Sequence, residues 1–322
     1  GICHKELGDL EAAISSYRRA LEIAPDDLDC RYNLAGCYQS LGDDNQAAKI
    51  YESIVAKSPT HLSSLNNLAY LTHKNGENER ARELYEQILK LNPAHVSADY
   101  MRAALSGETR SQPPGSYIRE VFDEFAGHYE AKLTGSLGYD LPSKLLDIYL
   151  HLRPRSRPHR LLDLGCGTGL VGEKFGPLSR SITGVDISRK MLDVARAKQV
   201  YEKLHFSEIS EFLETNPGTI YDLVVCADVL PYIGELGELF KKISLIMASD
   251  GHFMFSVEHQ TTDAAFPVLQ PSGRFAHSPR YVADSATQTG WDIISETSLE
   301  LRKEREGWIK GCIYVMNLTD FK

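Results

Sequence analysis

Three prolines, Pro25, Pro59 and Pro93, fall 34 residues apart, and other positions keep the same step: Gly8, Gly42 and Gly76; Ala13, Ala47 and Ala81; Tyr17, Tyr51 and Tyr85. Positions that share one register do not arise by chance. A period of this length marks repeated supersecondary units that bury their apolar faces only against their neighbours, which restricts the first third of the chain to a stack. Each unit reads as two helices. The glycine sits in the turn between them, where a residue without Cβ takes positive φ. The small alanine and large tyrosine interlock neighbouring helices, and the proline ends the second helix because it cannot donate to the preceding turn.

A step of 34 with alanine, an aromatic four residues on, and a later proline resembles the tetratricopeptide repeat (TPR). The first-helix half of that motif is present in weakened form as Arg31, Leu34, Ala35 and Tyr38, and again as Leu65, Leu68, Ala69 and Thr72. The register sets Gly1 partway along a first helix, so chain upstream of Gly1 is expected. Ala94 to Leu105 is expected to form a helix that caps the last repeat. The resemblance implies a concave groove for a protein or peptide, lined by Tyr32, Asn33, Gln39, Asn66, Tyr70 and His73. These offer hydrogen bonds and ring faces and no cationic carboxylate clamp. An array that only packs or dimerises is the equal alternative at this point.

Ser106 to Ser116 is rich in Gly, Pro and Ser and contains Pro113-Pro114, which favours an extended spacer. The expected organisation is therefore a repeat array over residues 1–105, a linker over 106–116 and a second domain over 117–322. The net charge of −9 is shared by both halves, so no long-range field favours nucleic acid. No run approaches the ~18 apolar residues of a membrane-spanning helix. The six cysteines show no CxxC pair and no clustering with histidine, so reduced thiols in a cytoplasmic protein and no metal site are expected.

The second domain alternates strand and helix signals. Arg160 to Leu164 is an apolar run, followed by Gly165-Cys166-Gly167-Thr168-Gly169 and a helical stretch, Leu170 to Phe175. Strand, glycine loop and helix is the context in which such a loop lets backbone approach a ligand closely. Ser181 to Val185 is the next strand and ends in Asp186, placed to accept hydrogen bonds from two ribose hydroxyls. A dinucleotide fingerprint wants glycine where Leu170 stands. The run from Asp163 through Gly165, Gly167 and Gly169 instead resembles motif I of class I methyltransferases dependent on S-adenosylmethionine (SAM).

That resemblance implies a Rossmann-like domain behind the helical solenoid, with a seven-stranded mixed sheet closed by the hairpin Trp291 to Leu301 and Trp308 to Leu318. It implies SAM as cofactor, with Asp163 near the methionyl amino group, Asp186 and Ile187 at the ribose, and Glu208 and Ile209 at the adenine. Ala227 and Asp228, after the strand Tyr221 to Cys226, fall beneath the methyl donor. The stretch Phe122 to Tyr129 is similar to a lid segment of small-molecule methyltransferases, which makes Phe125 and Tyr129 lid candidates. Together with the repeats, the wording resembles a group of predicted bacterial methyltransferases fused to TPR arrays.

Methyl transfer needs chiefly an aligned nucleophile and a dry site, so a base is optional. His277 is the first candidate base and Arg274 a candidate substrate anchor, with Asp228 and His259 behind them. No Asn-Pro-Pro-aromatic run follows the fourth strand, which disfavours the amide methyltransferases that use one. Three readings stand: an active methyltransferase acting on an O, N or C acceptor; a SAM-binding TPR adaptor without turnover; and a nicotinamide-dinucleotide oxidoreductase.

Overall fold

A computed structural model of the chain describes residues 1–125, 130, 133, 135, 137–153, 160–260, 262–304 and 307–319, the side chains of 124 and 125 aside. It divides into two compact units, Gly1–Glu108 and Thr109–Lys322. No helix of the described residues is long and apolar enough to cross a membrane.

The first unit is all helical: α1 (Ile2–Glu6), α2 (Leu10–Ile23), α3 (Leu28–Ser40), α4 (Asp44–Lys57), α5 (Leu62–Lys74), α6 (Asn78–Leu91) and α7 (Val96–Leu105). The repeat register explains their ends. Gly8, Gly42 and Gly76 all take φ near +80°, as the turn requires. Pro25, Pro59 and Pro93 follow directly on the residues that cap α2, α4 and α6. Asp9, Asp27 and Asp43 accept from Ala12, Cys30 and Gln46 N–H at the first turns of α2, α3 and α4. The repeated alanines and tyrosines are buried where the helices interlock.

Of the groove candidates, Asn33 turns back on its own helix and donates to the Asp29 carbonyl. Tyr32 and Gln39 instead join a chain linking three helices. Asn67 Nδ2 donates to the Tyr51 hydroxyl at 2.9 Å and reaches the Tyr32 hydroxyl at 3.4 Å, while the Tyr51 hydroxyl donates to Gln39 Oε1 at 3.2 Å. Asn66, Tyr70 and His73 are half-buried. Asn67→Ala removes the amide that donates to the buried Tyr51 hydroxyl and is expected to cost the repeat unit about 1–2 kcal/mol. A denaturation midpoint equal to wild type would refute that role.

The second unit is a three-layer α/β fold. Its elements are α8 (Gly115–Phe125), α9 (Leu141–Leu152), β1 (Arg160–Leu164), α10 (Leu170–Phe175), β2 (Ser181–Asp186), α11 (Arg189–Ala197), β3 (Lys203–Phe206), α12 (Ile209–Thr215), β4 (Tyr221–Cys226), α13 (Gly237–Ser244), β5 (Met247–His259), β6 (Val268–Leu269), β7 (Phe275–His277), α14 (Pro279–Gln288), β8 (Trp291–Glu304) and β9 (Gly307–Leu318). The main path runs β3-β2-β1-β4-β5-β9-β8, parallel from β3 to β5, with β9 antiparallel to both β5 and β8. The short strands β6 and β7 bring the sheet to nine strands, β7 running parallel to the end of β5.

Strand residues alternate between two cores, which is why these strands read as unbroken apolar runs. Leu162, Val224, Phe253 and Tyr314 fill one face with Phe240 and Trp291; Leu161, Val225, Met254 and Ile313 fill the other with Leu145 and Phe175. The fold thus presents the carboxyl ends of β1, β2, β4 and β5 at one edge, where open α/β sheets bind ligands.

Candidate active site

The turn after β1 is fixed to the end of β2: the N–H groups of Gly165 and Cys166 both donate to the Val185 carbonyl, at 2.8 and 3.0 Å. Its glycines serve different needs. Gly165 has φ +70°, and a Cβ there would meet Val229 Cγ2 at 2.4 Å; Gly169 has φ +93° and abuts the Tyr201 ring and Ala195. Gly167 also takes positive φ, yet a Cβ there would meet nothing within 4 Å. The backbone at Gly167 therefore borders open space, and Gly165, Gly167, Thr168, Leu170, Ala227 and Tyr139 line a cleft partly open to solvent.

Asp186 ends β2 with its carboxylate gripped by backbone: Gly167 N–H donates to Oδ2 and Ser188 N–H to Oδ1, each at 2.8 Å. Burial pushes its pKa up to about 6 against those hydrogen bonds. Asp163, behind the glycine loop, is pushed up to about 7, chiefly by burial, with the Tyr201 hydrogen bond opposing and the Asp186 charge adding. The Tyr201 hydroxyl donates to Asp163 Oδ2 at 2.6 Å and accepts from Gly172 N–H at 3.2 Å. Asp163 Oδ1 and the Thr168 hydroxyl are buried with no partner among the described residues. Two orphaned polar atoms beside a backbone stretch with room for a ligand form a cradle that suits a polar nucleoside.

A helix closes over the same edge. Gly115 at the start of α8 lies against Glu208 and Ile187, so a Cβ there would clash with Glu208 Oε1. Further along α8, Asp123 accepts from the Ser188 hydroxyl at 2.5 Å and the Phe122 ring meets Tyr232 edge-on at 5.2 Å. The described part of the covering segment thus comes before the expected lid residues. Tyr129 and the side chain of Phe125 lie outside the described residues.

The assignments of His277 and Asp228 made from the sequence are corrected here, and the others are located. His277 is 0% exposed, stacks on Tyr281, and directs Nε2 at the carbonyls of Ile233 and Gly234, at 3.0 and 3.1 Å. Nε2 is therefore the protonated nitrogen, and Nδ1 is buried without a partner. Burial lowers its pKa to about 4, against the raising effect of those carbonyls. It is a core histidine, not an accessible base. Asp228 adopts φ +59° and turns its carboxylate onto Arg302, away from the position expected beneath a methyl donor, although Ala227 does line the cleft. Arg274 is not free: its Nε donates to Glu258 at 2.7 Å and its Nη2 to both oxygens of Glu304, at 2.9 and 2.8 Å. Ile209 packs on the hydrophobic core beneath the sheet. His259 is exposed at the end of β5.

The histidine supplies a pH prediction. A buried imidazole with a depressed pKa stabilises the fold fully above its unfolded value near 6.5, and that contribution is lost as pH falls toward 4. His277→Asn is expected to remove roughly 3 kcal/mol of the acid destabilisation between those limits. Parallel stability curves for wild type and variant from pH 7 to 4.5 would exclude this linkage.

Tyr201, Thr168, Tyr232, Glu258 and Arg302 were not singled out in the sequence. Gly172 and Gly184 are the signal for Tyr201, since a Cβ at either would collide with its ring. Glu258 and Arg302 are charges set inside strand patterns.

A parallel sheet reversed at β1 and β4, a glycine turn open at Gly167 and an acid at the tip of β2 define a nucleoside-binding domain of the Rossmann-like class. Residues 137–308, just over half of the chain, match the family model described as a methyltransferase domain, and residues 5–70 and 61–92 match models described as tetratricopeptide repeats. The chain belongs to the methyltransferase-domain family, carries tetratricopeptide repeats ahead of that domain, and SAM is the cofactor of this class. The chain is similar to the malonyl-[acyl-carrier protein] O-methyltransferase of Legionella pneumophila, 32% identical over 175 residues, which is 51% of this chain and 58% of that protein. It is also similar to the ubiquinone biosynthesis O-methyltransferase of Vibrio cholerae, 32% identical over 101 residues, 30% of this chain and 41% of that protein. It spans about half the length of these curated relatives. Among solved structures, a SAM-dependent methyltransferase from Clostridium acetobutylicum matches at 20% identity and a TM-score of 0.47, over 62% of this chain and 99% of that one.

Proposed function

We propose that residues 109–322 bind SAM and catalyse methyl transfer to an O, N or C acceptor, and that the repeat array engages a protein or peptide connected with that acceptor. The observation that carries this reading is the pairing of Asp186 with the one loop glycine that faces open space. Gly167 N–H fixes the carboxylate at the loop, and the cleft begins there. SAM supplies an activated methyl on sulfur, and its amino group and hydroxyls match the unpaired Asp163 Oδ1 and Thr168 Oγ1 and the remaining lone pairs of Asp186.

What the chain's own residues do is position and exclude water. Gly165 and Val229 bring the β1 and β4 loops together, Ala227 forms the wall beside them, and α8 covers the ends of β2 to β4. Because His277 and Asp228 are committed elsewhere, this chemistry rests on alignment and needs no base from either. That commitment is also what favours the second reading, binding without turnover. Leu170 at the head of α10 and the β8–β9 hairpin both oppose a dinucleotide enzyme.

Calorimetry with SAM, S-adenosylhomocysteine and NAD separates cofactor classes; binding of NAD alone would overturn the proposal. A search for labelled methyl acceptors in lysate, with the full chain and with residues 109–322, separates turnover from binding. Labelling that needs the full chain supports recruitment by the repeats, and SAM binding with no labelled product by either form would favour the adaptor.

A further inference from the structure

Beside the cofactor cleft lies a cluster of five charged side chains. Arg302 donates to both Asp228 and Glu258, and Arg274 donates to Glu258 and Glu304. Glu258 and Arg302 are buried, with side chains 7% and 8% exposed, and Asp228 and Arg274 are largely covered, at 12% and 13%. Two guanidiniums and two carboxylates make this quartet neutral. Glu304 is therefore surplus to its charge balance, and its side chain is 40% exposed. An exposed carboxylate on an already balanced group contributes little to stability, yet here both of its oxygens occupy the outward edge of a positioned guanidinium.

That edge belongs to the acceptor side of the site. Asp228 follows Ala227 of the cleft wall, and Glu258 stands at the carboxyl end of β5. Gly311 pairs with Glu258, so the tip of the β8–β9 hairpin overruns the end of β5 on the ligand edge. The tip also touches the cleft wall: Lys303 N–H donates to the Leu137 carbonyl, and the Trp308 ring lies against Gly138, next to Tyr139 of the lining. Tyr232 is close enough to both arginines for their charges to act on its hydroxyl, and its ring meets Phe122 of α8.

We propose, building on the methyltransferase reading, that the outward edge of Arg274 is the receptor for a carboxylate carried by the methyl acceptor, and that Glu304 is an internal competitor displaced when that carboxylate arrives. Exchange conserves charge: one carboxylate leaves the guanidinium and another takes its place, while Asp228, Glu258 and Arg302 hold the arginine in position. Arg274 Nη2 alone carries both Glu304 oxygens while Glu258 holds Nε, so that seat already takes a planar carboxylate.

The test titrates sodium propionate, with propionamide as the neutral isostere and inorganic phosphate as a third arm, into the 15N-arginine-labelled full chain. The Arg274 Nε–H resonance is followed, assigned by its absence in Arg274→Lys. Propionate is expected to shift that resonance, propionamide not, and Glu304→Gln is expected to bind propionate about fivefold more tightly than wild type. Equal affinity in Glu304→Gln and wild type, an equal response to propionamide, or tighter binding of phosphate than of propionate would each overturn the proposal. Glu304 is at the surface, so its variant keeps the experiment interpretable where Arg274→Lys fails to fold. SAM affinity, measured separately, reports on the methyltransferase reading; its loss leaves the anion titration readable.

Discussion

Arg302→Leu is expected to destabilise the methyltransferase unit by about 3–5 kcal/mol, the largest effect of any single substitution considered for this protein. Among the described residues Arg302 is the cation that pairs with both Asp228 and Glu258; Glu258 and Arg302 are buried, and the Asp228 side chain is only 12% exposed. Removing it leaves Glu258 with Arg274 but leaves the Asp228 carboxylate without an ion-pair partner among the described residues, since the Asp228 N–H that donates to the Ser256 hydroxyl does not touch that carboxylate. The penalty is that of leaving charge buried and unpaired, not the net worth of the ion pairs, which desolvation largely cancels. Asp228 responds by holding its proton, since burial already raises its pKa and Arg302 is the chief influence opposing that rise. The loss is therefore expected to be greatest at alkaline pH, where the proton must leave. Chemical denaturation at pH 6 and 8.5 measures it, and a loss below ~1 kcal/mol at both would show that water or another cation replaces Arg302.

Asp186→Ala is expected to weaken SAM binding on the order of 100-fold. A carboxylate offers about four lone-pair directions, and the backbone of Gly167, Ser188 and Ile187 uses part of them. What remains is available to the ribose hydroxyls. The substitution removes hydrogen bonds to a charged acceptor, each worth about 1.5–3 kcal/mol, and also releases the N–H that sets the glycine loop. Asp186→Asn should fall between, because one of its two positions donates where Gly167 N–H requires an acceptor. Calorimetry on both variants provides the comparison, and wild-type affinity in Asp186→Ala would remove this residue from the cofactor site.

Much of the fold could be read in the chain because its signals are local. A step of 34 residues predicts a stack, and the glycines at φ near +80° and the prolines after each second helix show the physical basis of that step. Strand, glycine turn and helix placed Asp163, Gly165, Gly167, Gly169 and Asp186 together, since β1 and β2 are joined by one short crossover. The apolar hairpin near the C-terminus foretold the antiparallel strand, though β6 and β7 gave no such signal: they are two and three residues long and exist only by pairing with the end of β5.

The roles of His277, Arg274 and Asp228 were settled elsewhere. A histidine in a polar loop reads as an available base, and here two carbonyls 43 and 44 residues away accept its Nε2–H in the core. Arginine 274 finds its partners 16 and 30 residues away, and Asp228 finds Arg302 at a distance of 74. The sequence by itself determined the two architectures and brought the glycine turn to the acid at the tip of β2, because helix periods, turn glycines and strand tips are set by neighbours in the chain. Tertiary structure alone decided which charged groups are spent on one another and which edge of Arg274 faces outward, because burial and ion pairing are fixed by residues that meet only when β4, β5, β7 and β8 converge.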